Sequence, residues 1–321
     1  MTYLITGSAG HLGEALMRTL QAAGTPARGV DVLPSPFTTH VGSITDPAFV
    51  RGAMAGVSAV IHAATLHKPH VATHSRQAFV DVNVTGTLTL LEAALAAGVG
   101  AFVYTSTTSA FGSALSPAPG EPAAWITEDV TPVPRNIYGV TKVAAESLCE
   151  LFHRDQGLPV VVLRTSRFFP EKDDVASIAE AYETANAQAN ELLYRRADIA
   201  DVVSAHLLAA GKAGEIGFGR YIVSATTPFG REDLAQLRAD APAVVRRIYP
   251  DYEPLYAAKG WNLFPSLDRV YVNDRARAAL GWTPKYDFRH LLDCLAKGAD
   301  FRSDLARAVG VKGYHHSSLP P

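Results

Sequence analysis

Thr2-Tyr3-Leu4-Ile5-Thr6-Gly7-Ser8-Ala9-Gly10-His11-Leu12-Gly13, running into Glu14-Ala15-Leu16-Met17-Arg18-Thr19-Leu20, is the stretch on which the reading of the whole chain turns. Residues 2 to 6 read as a short buried strand and residues 14 to 20 as a helix, with a glycine-rich turn between them. In that order the three pieces aim backbone N–H groups and the positive end of a helix dipole at a pyrophosphate, and glycines let it approach closely. Ala27-Arg28-Gly29-Val30-Asp31 then reads as a second strand ending in a carboxylate. Asp31 would accept hydrogen bonds from an adenosine ribose and repel a 2′-phosphate, so NAD is favoured over NADP. Arg28 is the residue that argues the other way.

Outward from this unit the alternation continues. Ser58 to His62 reads as a strand, Asp81 to Ala97 as a helix, Ala101 to Thr105 as a strand, Tyr138 to Phe152 as a helix and Pro159 to Leu163 as a strand. Apolar strands alternating with helices indicate a parallel sheet covered on both faces, with ligands bound beyond the carboxyl ends of its strands. The fold class expected is therefore α/β: a Rossmann-type doubly wound parallel sheet with a smaller C-terminal α/β substrate domain. Residues 1–166 form the dinucleotide-binding part, 197–224 return to it, and 167–321 supply the smaller substrate-binding region.

Composition narrows the function. A chain of 321 residues that is 48% hydrophobic can bury a large core. A formal net charge of −2 gives no basic footprint for nucleic acid. No run approaches the length of a membrane span and no signal peptide is legible, so a cytoplasmic protein is expected. The two cysteines, Cys149 and Cys294, form no metal or redox motif. The histidines of Thr65 to His74 lie beyond a strand end, but Pro69 interrupts helical spacing and no carboxylate or cysteine completes a metal set, so no metal is expected.

Chemistry is carried by Tyr138-Gly139-Val140-Thr141-Lys142 together with Thr105-Ser106-Thr107. Four residues apart on a helix, Tyr138 and Lys142 share a face. A phenol is a weak proton shuttle at neutral pH, and a fixed ammonium beside it favours the phenolate. A hydroxyl from Thr107 can hold a substrate oxygen next to the phenol.

These pieces resemble the extended short-chain dehydrogenase/reductase superfamily, also called the NAD-dependent epimerase/dehydratase family. The resemblance rests on Thr6 to Gly13, His62-Ala63-Ala64, Asn83-Val84-Thr85-Gly86-Thr87, the Ser/Thr cluster before Phe111-Gly112, Tyr138-x-x-x-Lys142, Leu163-Arg164 and Leu280-Gly281-Trp282-Thr283-Pro284, in family order. It implies Tyr138 as general acid/base, Lys142 as the residue that binds the nicotinamide ribose and lowers the tyrosine pKa, and Thr107 as the catalytic Ser/Thr, with Ser106 the neighbour to test as a substitute. It also implies cofactor contacts from Gly7, Gly10, His11, Leu12, Gly13, Asp31, Ser43, Ile44, Ala63, Ala64, Thr105 and Phe168. A homodimer built on the helices of Asn83 and Tyr138 is implied as well.

The departures concern the substrate. Gly42-Ser43-Ile44 stands where many relatives have Gly-Asp-Leu/Ile, and Thr107 is followed by Thr108 and Ser109 instead of the Asp-Glu pair of sugar dehydratases, which disfavours dehydration. Arg167 replaces the usual Asn after Leu-Arg, the family's diphosphate-binding Arg falls on Tyr194, with Arg195 one place away, and for a second such Arg only Arg269 offers a counterpart. One helix, about Val175 to Leu193, is expected between Arg167 and Tyr194. The substrate is read as smaller than, or different from, a nucleotide-sugar, with His67, Thr108, Arg167 and Arg195 as candidate contacts. Arg167, Arg195 and Arg196 are equally suited to pairing with Asp198 and Asp201 or capping helices. Asn83 either caps backbone or supports Tyr138 through a water. Trp125, in the Pro/Ala/Gly-rich loop from Ala114 to Pro134, either closes over substrate or pins the loop, and the tail from Gly313 is peripheral. The functions left open are a dehydrogenase/reductase of a sugar or other small polar compound, a nucleotide-sugar epimerase of the UDP-glucose 4-epimerase kind holding NAD tightly, and a non-catalytic NAD-binding regulator.

Overall fold

A computed structural model describes residues 1–313. The histidine-containing tail from Tyr314 lies outside the described residues. The first unit is strand β1 (Tyr3–Thr6), helix α1 (His11–Ala22) and strand β2 (Ala27–Asp31), followed by β3 (His40–Val41), α2 (Pro47–Met54) and β4 (Ala59–His62). Then come α3 (Arg76–Val80), a π-turn over Asp81–Thr85, α4 (Gly86–Ala96), β5 (Ala101–Thr107), β6 (Ala124–Ile126), α5 (Ile137–Gln156) and β7 (Val160–Thr165). The chain continues through α6 (Ala176–Ala181), α7 (Thr184–Glu191), α8 (Ile199–Ile216), β8 (Phe218–Val223) and β9 (Arg269–Tyr271).

Seven strands form one sheet in the order β3-β2-β1-β4-β5-β7-β8, with every pairing parallel. The order reverses between β1 and β4, which opens the crevice where such sheets bind ligands. Period-two alternation divides the strand side chains between two layers. Ile5, Ile61, Val103 and Val161 pack with Leu12 and Leu16 of α1 and Val202 and Val203 of α8. Leu4, Val60, Phe102 and Val162 pack with Met54 of α2, Leu90 and Leu91 of α4 and Phe152 of α5. Each such apolar side chain contributes about 1.5–3 kcal/mol when fully buried.

The later chain divides between two cores. Leu280 and Trp282 pack into the α1/α8 layer, where the Trp282 indole donates to the Asp201 carbonyl (3.1 Å) and Ser204 Oγ (3.0 Å). The Asp201 carboxylate accepts the backbone N–H groups of Lys285 and Tyr286, tying this segment to the start of α8. A second core gathers Leu193, Tyr194, Leu237, Val245, Tyr256 and Phe288. Between the two lies a small parallel sheet in which β6 pairs with β9. These placements cut across a linear division at residue 166.

Local structure departs from the sequence reading at several points. The helix read from Asp81 begins at Arg76, because Ser75 Oγ accepts the Ala78 N–H and caps it. Asn83 is therefore inside the helix, in its π-turn, and does not open it. The continuous helix Arg76–Ala96 is also long and apolar enough to cross a membrane by length and composition, contrary to the expectation that no run approaches a span. Half of its apolar window is buried inside the protein. The single helix read over 175–193 is two, broken where Tyr182 turns extended and sets its ring edge-on to Phe264 at 4.8 Å. The loop from Ala114 contains β6, and Trp125 packs on the second core with Arg231 over its ring, which pins the loop.

Candidate active site

The carboxyl ends of β1, β2, β4, β5 and β7 open onto one cavity of about 550 Å³. At one end lies the glycine turn. Gly7 adopts φ +74°, in the left-handed region, and a Cβ there would meet the Ala64 backbone nitrogen at 2.8 Å. A Cβ on Gly13 would stand 1.9 Å from the Gly7 carbonyl oxygen, so only glycine lets α1 start this close to the turn. Gly10 caps α1 without any side-chain hydrogen bond, leaving the helix start to backbone N–H groups that face an anion well. Asp31 accepts from the Ala9 N–H through one oxygen and from the Leu33 N–H through the other, both at 3.0 Å. It lines the cavity with lone pairs still available to a ribose. Arg28 does not line it; its Nη1 donates to the carbonyls of Ala53 and Ala55 at the end of α2.

Ser43 and Ile44 lie on the same wall, but Ser43 Oγ is engaged within its own turn by Thr45, and Ile44 seats against Gly86. Ala63 and Ala64 donate their N–H groups to Thr6 Oγ1, which also meets His62 Nδ1 at 2.8 Å. Because Thr6 accepts twice, its hydroxyl proton goes to Nδ1 and the imidazole proton sits on Nε2, directed to Thr87 Oγ1 at 2.9 Å. Burial, with the Lys142 charge adding to it, lowers the His62 pKa to about 3, so the ring stays neutral.

Mid-cavity, β5 and α5 bring Thr107, Tyr138 and Lys142 to one lining. Asn136 Oδ1 caps α5 by accepting the Gly139 N–H, and the buried face of the helix carries both Tyr138 and Lys142. Lys142 Nζ donates to the Thr105 carbonyl at 2.6 Å and lies 4.2 Å from the centre of the Tyr104 ring. Burial lowers its pKa to about 7, while Glu146, one turn further along, pulls the other way. Thr107 Oγ1 accepts the Ser109 N–H at 3.1 Å, which leaves its own proton for another oxygen.

Ser106 also lines the cavity, but its hydroxyl donates at 2.5 Å to Glu146, which forms a buried pair with Arg164 at 2.7 Å. The Thr105 side chain points away as well, to His206 Nε2 at 2.9 Å, so any cofactor contact from Thr105 comes from its backbone. Asn83 spends its amide on Thr65, both backbone groups of Leu66, and Thr141, which makes it a clamp between the 65–66 loop and α5. The pair Glu146 and Arg164 was not read as part of the site from sequence. The available signal was the spacing of Glu146, four residues beyond Lys142 on the same helix face.

Past Tyr138 the lining changes character. His67 sits with its ring 6.2 Å from that of Tyr138 and 5.5 Å from that of Phe169, while Phe168 lies tilted against Phe169 at 4.3 Å. Thr108, Ser109, Arg135, Arg195, Arg269 and Tyr271 complete this end. Arg167 and Arg195 do pair with carboxylates, but with Asp173, Asp174 and Glu191, not with Asp198 and Asp201 as read from sequence. Asp198 instead caps α8 and holds Ser303. Among the described residues no group of three or more His, Cys, Asp or Glu is arranged to hold a metal.

A parallel sheet with a glycine turn at its switch point, a carboxylate ending the second strand and a Tyr/Lys pair at the fifth defines a dinucleotide-binding protein of the doubly wound kind. The chain belongs to the NAD dependent epimerase/dehydratase family, whose model matches residues 3–224. It is 30% identical to the dTDP-glucose 4,6-dehydratase of Streptomyces antibioticus over 327 residues, covering 90% of this chain and 89% of that one. Identity to the GDP-6-deoxy-D-mannose reductase of Pseudomonas aeruginosa is also 30%, over 90% of this chain and 93% of the relative. Two further curated relatives are matched over only 40% and 56% of their own length. Among solved structures, a short-chain dehydrogenase/reductase superfamily protein from Agrobacterium tumefaciens with bound NAD superposes with a TM-score of 0.65 at 26% identity, over 92% of this chain and 96% of that one.

Proposed function

We propose that this enzyme is an NAD-dependent oxidoreductase that interconverts a hydroxyl and a carbonyl on a small polar substrate. The observation that carries the reading is the placement of Tyr138, Lys142 and Thr107 on one cavity wall, continuous with the glycine turn and Asp31. NAD, held at that turn, supplies the hydride acceptor. Tyr138 removes the proton of the substrate hydroxyl, or returns it in the reverse direction. Lys142 keeps the phenolate accessible, and its hydrogen bond to the Thr105 carbonyl fixes the ammonium in place. Thr107 donates to the substrate oxygen, because its hydroxyl accepts the Ser109 N–H and keeps its own proton for another oxygen.

NAD is preferred to NADP since Asp31 faces the ribose end and Arg28 is committed to α2. Dehydration is disfavoured. Thr108 and Ser109 follow Thr107, and the carboxylates lining the cavity are Asp31 and Glu171 near the glycine turn and Asp174, which is held by Lys68 and Arg167. A homodimer through α4 and α5 is part of the proposal, supported by exposed Leu95, Val140 and Leu151 on those helices. Light scattering giving a monomer mass would remove that part.

The test is to load the protein with NAD and offer small hydroxy compounds while following the nicotinamide absorbance and the products. Net NADH formation is the expected result. Product without net reduction would make it an epimerase, and a bound cofactor with neither would leave only a binding role.

A further inference from the structure

Four arginines line the cavity; Arg167 spends both terminal nitrogens on Asp173, Asp174 and Glu191, which leaves three at the substrate end, from three separate segments. Arg135 precedes α5, Arg195 follows α7 and Arg269 opens β9. Two of them are braced. Arg195 gives Nη2 to Asp173 at 3.0 Å and Glu191 at 2.9 Å, and both carboxylates are almost completely buried. Arg269 gives Nε and Nη2 to Asp268, at 2.8 and 2.5 Å. The remaining terminal nitrogen, Nη1, of each makes no hydrogen bond among the described residues.

Arg135 donates only to Ser113 Oγ, at 3.3 Å, and has no carboxylate partner among the described residues. Tyr271 lines the same end, and its hydroxyl has no hydrogen bond among the described residues either. Guanidinium groups held from one side by carboxylates, as Arg195 and Arg269 are, with N–H groups left over, form a preorganised anion receptor.

The same end stops short of a nucleoside. No residue from 176 to 194 or from 196 to 268 lines the cavity, so α6, α7 and the whole segment between α8 and β9 contribute no wall to it. Tyr194 is buried against Phe264, and α7 is buried from Asn186 to Glu191, with Asn186 and Asn190 donating to the Asn262 carbonyl.

We propose that Arg135, Arg195 and Arg269 bind one terminal anionic group, a carboxylate or a phosphate monoester, of a small polyhydroxy substrate, and not the diphosphate of a nucleotide-sugar. For turnover this rests on the oxidoreductase reading; for binding it does not.

Four ligands sharing one sugar ring test it on the NAD-loaded protein: glucuronate, glucose 6-phosphate, glucose and UDP-glucose. Calorimetry and NADH formation are recorded for each. One of the two small anions should bind at least about tenfold more tightly than glucose, and which one does so identifies the group. UDP-glucose should bind no better than glucose. In Arg135→Ala, at an exposed position, the ratio of affinities between the preferred anion and glucose should collapse by about ten- to a hundredfold, with the same direction in Arg269→Ala.

Equal affinities for charged and neutral sugars, binding of none of the small anions, tighter binding of UDP-glucose, or an unchanged ratio in both variants would overturn the inference. Tight binding of a small anion without oxidation would instead count against the oxidoreductase reading and leave the anion site standing.

Discussion

The two ends of the cavity are built from different materials. At the cofactor end the walls are backbone: Gly7, Gly10 and Gly13 shape the turn, Ala63 and Ala64 stand against it, and the one prominent charge, Asp31, is fixed by two N–H groups. At the substrate end the walls are long side chains held by one another, with Arg167 and Arg195 sharing Glu191 and Asp173. A backbone wall tolerates almost no change in its residues, since a single Cβ occupies the space. A wall of paired side chains can be rebuilt residue by residue while keeping its charge balance, so it is where substrate choice can vary under a constant cofactor site.

The largest effect expected from this contrast is at Gly13. Gly13→Ala puts a Cβ where the Gly7 carbonyl stands, so NAD binding measured by calorimetry should be lost and the melting temperature should fall by several degrees. Retained binding would break the contrast at its root. Next is the pair Thr107 and Ser106. Thr107→Val should lower kcat by about 10²-fold with stability little changed, whereas Ser106→Ala should act mainly on stability, by roughly 1–3 kcal/mol, because it strips a donor from a buried carboxylate. Reversed outcomes would mean that the strand end presents the other hydroxyl.

A smaller effect separates the layers by pH. His62 and His206 are buried and neutral, with burial lowering their pKa values to about 3 and about 4. Below about pH 6.5 the unfolded chain takes up these protons while the folded chain does not, so stability present at neutral pH is lost as pH falls toward 4, at roughly 1 kcal/mol per pH unit for each group. Denaturant midpoints at pH 7 and pH 5 measure it, and a flat profile would show that these rings are already charged in the fold. The smallest effect expected is none: Arg28→Ala should leave the preference for NAD over NADP unchanged, because Arg28 serves the end of α2.

The same contrast explains what sequence could tell. The glycine turn, Asp31 and the spacing of Tyr138 and Lys142 were legible because local geometry dictates them: a turn needs glycine, and residues four apart on a helix share a face. The partners of Arg167 and Arg195 were misread because Asp198 and Asp201 are near them in sequence, while Asp173 and Glu191 reach them only through the fold. Thr107 was preferred to Ser106 only through the family resemblance, because the partner of the Ser106 hydroxyl, Glu146, is forty residues away in sequence. The break at Tyr182 depends on a ring some eighty residues away and leaves no local mark.

The most direct measurement is of Tyr138→Phe, in which NAD affinity by calorimetry and turnover by nicotinamide absorbance are determined on the same preparation. NAD affinity close to that of the unaltered protein, with turnover reduced by about 10²- to 10⁴-fold, is the result predicted. Near-normal turnover would contradict the account, and so would loss of NAD binding together with activity.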